Sequence, residues 1–494
     1  MYVCLRPLAI LLNVLWIGTP GLAAAAPGQH THQPESSPAD LRARLTARED
    51  ENRVEQPRTI PFLGYPLSAT LQYELALDGV RHFADHDPAY GKTRGRLEQQ
   101  AETEVFYTLG SRLSFLAQAR VSMEQELRAD SHSGVSDVYV ERGEMWLTSE
   151  FILGLPFSLE IGRLDFEDDR RWWWDDDLDA VRATVTGASV ELALAVAQEL
   201  GPTRSDRSFI EPASEGVLRV IAEASWDWTS DHTIQLFALL HADRSRTPQV
   251  DDIMDRQRAD ETDARLTWLG ARATGAWTAK SASILAYWLD AARVSGHERA
   301  VDLMPLSEQQ SVVTARTQRD VHGWAFDLGA TWTVSSNFEP RLSLGYARGS
   351  GDKSDDDVRD TAFRQTGLNS NAPGFGGVQN FRGYGLLLDP ELSNLSIVTA
   401  GVGVSLLTSS SLDLVYHHYR QVEPTNALRH ARLEAALTGR DRSLGHGLDL
   451  VLAVEESDWL EFEVTASAFR AGEAFGPERN EWTYGGFAAI RLAF

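Results

Sequence analysis

The end of the chain alternates large apolar residues with other residues at a period of two. Trp482, Tyr484, Ile490, Leu492 and Phe494 all occupy even positions, and Phe494 is the last residue. A period of two places one continuous apolar face along a β-strand. A strand of this kind that ends on an aromatic residue is typical of the final strand of a transmembrane β-barrel, so the rest of the chain should repeat the pattern.

The same alternation recurs along the chain from Ser68 onward. Leu71, Tyr73, Leu75 and Leu77 alternate with polar or small residues, and the ranges 113–121, 324–332 and 448–452 repeat this arrangement. We count about eighteen segments of about ten residues, the length that a tilted membrane strand requires. No segment approaches the ~20 apolar residues of a membrane-spanning helix. The pattern therefore predicts an all-β fold, a closed antiparallel transmembrane barrel of about 18 strands.

The connections between these segments alternate in length. Short turns follow every second segment, at 110–111, 229–231, 335–337, 408–410 and 456–458. The other connections are long and polar, at 79–96, 164–178, 200–217, 243–261, 290–319, 349–392, 420–444 and 471–481. Outer-membrane barrels have short periplasmic turns and long external loops, whereas a soluble sandwich has no reason to place its long loops on one side.

Aromatic residues concentrate at the ends of the segments, as the two interfacial girdles of a barrel would require. Those beside short turns are Trp277, Trp332, Phe338 and Trp459, and those beside long connections are Trp172 to Trp174, Trp288, Tyr346 and Tyr419. We expect both groups to lie at the membrane interfaces.

The amino-terminal part of the chain has a different composition. Residues 1–26 have a basic start, a short apolar run and a small-residue cleavage site, which predicts a secretory signal peptide. Residues 27–64 are expected to form a periplasmic segment, either a short helix or a flexible end, and 65–494 the barrel. The only cysteine, Cys4, lies in the signal, which excludes disulfides in the mature chain. The net charge of −25 argues against binding to nucleic acid.

Several segments in the second half of the chain resemble the alginate-export family of outer-membrane barrels. They are Leu344–Asp352, Arg364–Asn371, Leu388–Leu395, Leu414–Tyr419, Gly445–Leu450 and the terminal strand. The resemblance covers about residues 65–494 and implies a monomeric barrel that carries an anionic exopolysaccharide passively from periplasm to exterior. Its implied partners are alginate or a similar polymer, outer-membrane lipid and lipopolysaccharide, and periplasmic export proteins.

The resemblance also implies which residues line the lumen. Arg163, Asp175, Asp177, Arg204, Asp206, Arg348 and Arg382 are the substrate-binding candidates. Arginine suits uronate carboxylates because its planar guanidinium pairs a carboxylate through two parallel hydrogen bonds. The alternative for each residue is a solvated loop charge or a structural ion pair.

The chain also departs from the family pattern. Asp165 and Ala372 stand where the family has further arginines, and Ala489 replaces an acidic residue of the last strand. The connections at 456–459 and 127–136 are short where relatives have gating loops. These departures keep open a less selective porin for small acidic or neutral solutes.

With a tight turn at 456–458, another segment must limit leakage through so wide a barrel. The candidates are the external connections 349–392 and 290–319 and the amino-terminal segment 27–60, and we expect 349–392 to be the main constriction. Its Gly374, Gly376 and Gly377 permit tight folding.

The sequence carries no nucleophile elbow, zinc-binding helix or phosphate loop, so no catalytic residue and no cofactor is expected. An outer-membrane enzyme remains a remote alternative.

Three acidic clusters, at 167–169, 175–177 and 355–357, have the oxygen ligands that Ca²⁺ prefers. Such runs are more often solvated loop charge, and we expect no defined metal site.

Overall fold

The computed structural model describes residues 58–494 apart from 82–92, 111, 129–135, 246–247, 280–282, 308, 354–357, 376–380, 408, 434–435 and 458. The predicted signal peptide and residues 27–57 lie outside the described residues. Arg58–Phe62 forms a short strand, β1, whose residues pair with 65–69. The expectation of a helix or a flexible end therefore applies only to 27–57.

The described residues contain twenty-one strands, and eighteen of them form the wall of one barrel. The wall strands are β2 (Tyr65–Arg81), β3 (Thr93–Leu109), β4 (Leu113–Arg128), β5 (Ser136–Ser149), β6 (Phe157–Glu167), β7 (Asp175–Thr186), β8 (Val190–Ala197), β9 (Val217–Thr229), β10 (His232–Asp243), β12 (Thr262–Thr278), β13 (Ile284–Pro305), β14 (Gln310–Thr333), β15 (Arg341–Gly349), β17 (Leu395–Ser405), β18 (Ser411–Gln421), β19 (Ser443–Ser457), β20 (Leu460–Ala471) and β21 (Trp482–Ala493). The short strands β11 (Ile253–Asp255) and β16 (Arg359–Asp360) pair with β14.

Pairing between the first and last wall strands closes the barrel. Each wall strand is antiparallel to the next, and β2 pairs with β21 from Gln72↔Ala493 to Arg81↔Tyr484. The terminal Phe494 continues this seam, because its backbone N–H donates to the Leu71 carbonyl at 2.8 Å. The predicted fold, a closed antiparallel barrel of 18 strands, is confirmed.

The outer face of the wall is apolar and the inner face is largely polar, as the period of two predicts. On β10, Leu236 is 56% exposed and faces outward, whereas the neighbouring Phe237 is 3% exposed and faces inward. The outer face is a band of exposed Leu, Ile and Val, while the inner face carries most of the buried charged residues. No helix among the described residues has the length and apolar character to cross a membrane.

The connections follow the predicted alternation at the two ends of the barrel. The turns at one end have between two and seven residues, and the longest connection at the other end runs over 350–394. One predicted loop is wrong: most of 290–319 belongs to β13 and β14, joined by a connection at 306–309. These two strands have 22 and 24 residues because their alternation continues beyond the membrane band.

An arginine introduced on the outer face should destabilise the barrel far more than one on the inner face. Leu236→Arg is expected to lower the free energy of unfolding by about 2–4 kcal/mol, the cost of placing an arginine among lipid chains. Gln235→Arg is the matched control, since Gln235 faces inward and already donates to Glu223 at 3.2 Å. Urea unfolding in lipid vesicles measures both. Equal losses for the two variants would contradict the assignment of faces.

Candidate functional site in the barrel lumen

Among the described residues, two connections that lie inside the barrel position the candidate site. The first is the tip of the β6–β7 hairpin, residues 168–174, and the second is the described part of 350–394. Their large side chains are removed from solvent: Trp173 and Phe363 are each 1% exposed. We call these two segments the tip and the inner loop. Together they occupy much of the space that a barrel of this width encloses.

The tip can turn inward because another segment takes its place in the wall. β5 pairs with β6 only between Ser149 and Met145. Above that point β5 pairs with residues 203–205: Arg142 N–H donates to the Thr203 carbonyl at 3.0 Å, and Ser205 N–H donates to Val140 at 2.8 Å. Gly162 has a φ of 140° where β6 departs from β5, a conformation that glycine adopts readily.

The tip packs against wall strands that are three or more positions away around the barrel. The Trp173 ring stacks on Phe237 of β10 at a centroid distance of 4.8 Å. Gly270 of β12 leaves room for it, since a Cβ atom there would lie 2.2 Å from Trp173. The prediction that Trp172 to Trp174 belong to an interfacial girdle is therefore wrong. They fill the lumen, because the hairpin that carries them turns inward.

A buried network of charges fixes the tip to the wall. Arg170 of the tip donates to Asp290 at 2.6 Å and to Asp327 at 3.0 Å. Arg272 of the wall pairs with Asp290 at 2.7 Å and also with Asp168 of the tip. Removing one partner from such a network typically costs about 3–5 kcal/mol, because it leaves a buried charge uncompensated.

The inner loop is bound to the tip through backbone groups. The N–H groups of Ser370 and Asn371 donate to the Arg171 carbonyl at 3.2 and 3.0 Å, and Asp175 N–H donates to the Leu368 carbonyl at 2.5 Å. The Arg171 side chain in turn donates to the Ala372 carbonyl at 3.2 Å. The two segments therefore form one structural unit inside the barrel.

Tyr384 joins the inner loop to the same network. Its hydroxyl donates to Asp327 at 3.0 Å and accepts from Trp172 Nε1 at 2.8 Å. Burial, together with the Asp327 carboxylate, raises the pKa of Tyr384 well above its usual range. The hydroxyl therefore stays a neutral donor at physiological pH.

Space remains between this unit and the opposite part of the wall. One cavity of about 360 Å³ lies between residues 381–386 and strands β2, β3, β20 and β21. Its charged lining residues are Arg96, Arg382, Arg432 and Arg491 and the acids Glu74, Asp78, Glu98 and Glu463. At least two of these arginines already form ion pairs with acids of the wall: Arg432 pairs with Asp78 at 2.5 Å and Arg491 with Glu74 at 2.7 Å.

A second cavity of about 300 Å³ lies beside the first and is lined by strands β2 to β7 and by Arg171 of the tip. Neighbouring inward positions of β2 link the two, since Glu74 lines the first cavity and Gln72 the second. Its arginines are Arg120, Arg163 and Arg171, and its acids are Glu102, Glu141, Glu144, Asp165, Glu167, Asp175, Asp176 and Asp177. Carboxylates thus outnumber arginines in this part of the lumen.

Four predicted site residues line these cavities. Arg163, Asp175 and Asp177 meet in the second cavity, where Arg163 lies 3.1 Å from Glu199 and 3.9 Å from Asp177. Arg382 lines the first cavity, is 43% exposed and lies 3.5 Å from Asp389.

Arg204 and Asp206 lie above the second cavity, at the external rim. The Arg204 guanidinium stacks on the Tyr139 ring at 3.4 Å, on the inward face of β5. Its two hydrogen bonds to Asp206 lower the pKa of that carboxyl group.

Arg348 lies on the other face of the wall. On β15 the even positions face outward, as the exposed Leu342 and Leu344 indicate, and Arg348 shares their register. The prediction that Arg348 lines the lumen is therefore not supported. Its motif resembles that of the family. On β15, however, only the odd positions face the lumen, and Arg348 occupies an even one.

Sequence reasoning missed the anchoring residues Arg170, Arg272, Asp290, Asp327 and Tyr384. A signal existed, since Asp290 and Asp327 interrupt apolar strand segments at mid-length, where only a lumen-facing carboxylate is tolerated. Two of the acidic clusters considered for Ca²⁺ pair with arginines: Asp168 of 167–169 pairs with Arg272, and Asp175 of 175–177 lies 3.6 Å from Arg171. The third, at 355–357, lies outside the described residues.

The fold and the site define a class of protein. A closed barrel with an apolar outer face, short turns at one end and inward-folded loops is an outer-membrane channel of the porin type. Solved structures share this fold: OccAB1 of Acinetobacter baumannii has a TM-score of 0.57 at 10% identity over 90% of this chain and 99% of that one. OccK5 (OpdH) of Pseudomonas aeruginosa has a TM-score of 0.52 at 11% identity over 87% and 98%.

The chain belongs to the alginate-export family, whose pattern matches residues 85–483. The alginate production protein AlgE of Pseudomonas aeruginosa is 27% identical over 363 residues, which covers 69% of this chain and 71% of that protein. AlgE of Pseudomonas syringae pv. tomato is 23% identical over 345 residues, with coverage of 65% and 66%. The resemblance read from the sequence is confirmed.

Loss of the Arg170 side chain should release the tip while leaving the wall intact. Arg170→Met is expected to weaken the attachment by about 3–5 kcal/mol, because Asp290 and Asp327 each lose a buried partner. Planar-bilayer recordings should then show a larger mean single-channel conductance. Arg112→Met, at an exposed position in a short turn, is the control. Equal conductance for the two variants would argue against an anchoring role.

Proposed function

We propose that this outer-membrane channel passively conducts an anionic polysaccharide, alginate or a similar polyuronate, from the periplasm to the exterior. The family match and the named relatives support a transport channel for alginate rather than a catalyst. The observation that carries the proposal is the row of arginines, Arg382, Arg432 and Arg491, along a water-accessible cavity beside the inner loop. These residues would contact the carboxylates of a passing chain.

The existing ion pairs suit a moving polymer. A uronate that reaches Arg491 must displace Glu74 or Glu461, each 2.7 Å away, so the net gain of each contact is small. Similarly, Arg432 would exchange Asp78 for a carboxylate of the substrate. Conduction requires several moderate sites that bind and release in succession rather than one tight site. Exchange between resident and substrate carboxylates provides such sites.

The second candidate function is a less selective porin for small solutes. The observation that favours it is the second cavity, where eight carboxylates face three arginines. An acidic passage repels polyuronates and attracts cations. Asp165 contributes to this excess, at the position where the family has a further arginine.

Block of the ionic current by defined oligosaccharides distinguishes the two functions. Oligouronates added to the periplasmic side of a planar bilayer are expected to interrupt the current in a length-dependent manner. Neutral oligosaccharides of equal length should have little effect, because they offer no carboxylate to the arginines. Equal block by both kinds would favour the unselective porin.

Arg163 and Arg382 are the predicted lumen arginines that line the cavities, and their removal should shift ion selectivity. In a salt gradient, Arg163→Gln/Arg382→Gln is expected to move the reversal potential toward cations, because two positive charges leave a passage rich in carboxylates. Arg58→Gln/Arg112→Gln, at two exposed positions near the short-turn end, is the control. A reversal potential that does not move would remove Arg163 and Arg382 from the mechanism.

Two deletions test whether the inner loop or the amino-terminal segment forms the main constriction of the channel. Removing 372–380 should raise single-channel conductance and antibiotic sensitivity, because the flanking residues of this loop pack inside the lumen. Removing 28–58 should have only a slight effect. If the amino-terminal deletion opens the channel and the loop deletion does not, the constriction is periplasmic.

A further inference from the structure

Six basic side chains lie close to one height on the outer face of the barrel. They are Arg81, Arg348, His418, Arg420, His446 and Arg470, which we call the outer basic belt. They are carried by β15 and β18 to β20 and by β2, in a stretch of seven adjacent strands that also includes β17 and β21. None of them lines either lumen cavity.

The strand register connects these residues into a row. Arg348 is opposite Ser396, which is opposite Arg420 on the next strand. Two positions along β18, His418 is opposite His446. Opposed residues of antiparallel strands lie on the same face of the sheet.

The row continues to the seam of the barrel. His446 is opposite Arg470, and Arg470 is opposite Trp482. Two positions along β21, Tyr484 is opposite Arg81. With strands about 4.8 Å apart, seven adjacent strands span about 29 Å of the outer surface.

The belt faces outward. Leu344 lies four positions from Arg348 on β15 and is 56% exposed, and Tyr416 lies two positions from His418 on β18 and is 38% exposed. The residues next to the belt point inward instead: Ala347 is 3% exposed and Tyr419 is 1% exposed. Belt side chains therefore project on the side of the wall that contacts lipid.

The belt lies at the external edge of the membrane band. Arg81 is the last residue of its strand, and Arg348, Arg420 and Arg470 are each one residue from the end of theirs. Trp482 and Tyr484, 51% and 52% exposed, accompany them, as expected for aromatic residues at the interface. An arginine costs about 2–4 kcal/mol at mid-membrane and about 0–1 kcal/mol at the interface, so this height tolerates a cluster.

The belt differs from the lumen in its charge balance. Most arginines of the cavities form ion pairs with carboxylates. Arg348 and Arg420, in contrast, form no ion pair with any carboxylate in the described ranges. Arg470 donates to the neutral Asn480 at 2.9 Å. Glu473 is close enough to act on the charge of His446, but its side chain is exposed. A chain of net charge −25 thus presents a positive surface here.

We propose that the outer basic belt binds the phosphate groups of the phosphorylated glycolipid of the outer leaflet. Arginine donates parallel hydrogen bonds to phosphate oxygens, and clusters of basic residues at a membrane surface recognise anionic head groups. The acyl chains would lie along the apolar face below the belt, beside Leu344, Leu414 and Ile490. The site is separated from the proposed polysaccharide path by the wall and does not depend on it.

Native mass spectrometry of the purified full-length mature protein in detergent tests this proposal. The probes are bis-phosphorylated lipid A and the same lipid after enzymatic removal of its phosphates. The wild-type protein should retain the phosphorylated form at least about tenfold more strongly, since two charge-assisted contacts exceed the 1.4 kcal/mol that corresponds to a factor of ten. Equal retention of the two lipids would overturn the proposal, and this arm requires no variant.

Substitutions then locate the site. Arg420→Gln/Arg470→Gln should lose most of the preference for phosphorylated lipid A, whereas Arg58→Gln/Arg112→Gln should keep it. Heat-modifiable migration on gels verifies that both variants fold. Inorganic phosphate added in excess should compete only weakly, because it lacks acyl chains. A belt variant that is folded and retains the full preference would show that the lipid binds elsewhere.

Discussion

Lipid cannot hydrogen-bond to the backbone, and this constraint determines the rest of the structure. Every wall strand must find two partners, so the first and last must meet, as Arg81 and Tyr484 do at one end of the seam and Leu71 and Phe494 at the other. Closure fixes one face of each strand toward lipid and the other toward the interior. All charges within the membrane band are therefore confined to the lumen.

This confinement explains how the lumen is organised. The inner face carries both signs of charge, and the tip brings Asp168 and Arg170 against Arg272, Asp290 and Asp327, where each charge finds an opposite partner. The inner loop then covers this network with neutral groups such as Tyr384. The charges that remain in contact with water line the two cavities along β2 to β7, β20 and β21.

The sequence predicts the wall well and the interior poorly, for a physical reason. Alternation such as that of Leu71 to Leu77 reflects the two environments of each strand, lipid on one face and the lumen on the other. Because every wall strand has these same two environments, the pattern predicts the number of strands, the closure of the barrel and the lengths of the turns. The inward turn of Trp172 to Trp174 depends on residues 203–205 taking over the edge of β5, a long-range event that no local pattern records. The family pattern predicts that Arg163 and Arg382 face the lumen, and both line a cavity. Whether Arg348 faces lipid or the lumen depends on the strand register, which a motif does not encode.

We propose that water and substrate pass beside the inner loop while the tip seals the opposite wall. Cys4 is the only cysteine, so single cysteines can report access to each region. A charged thiol reagent should modify Glu74→Cys quickly and reduce the current, and oligouronate should slow this reaction. Ala292→Cys, next to Asp290 behind the tip, should react far more slowly. Rapid modification of Ala292→Cys together with slow modification of Glu74→Cys would contradict a path beside the inner loop.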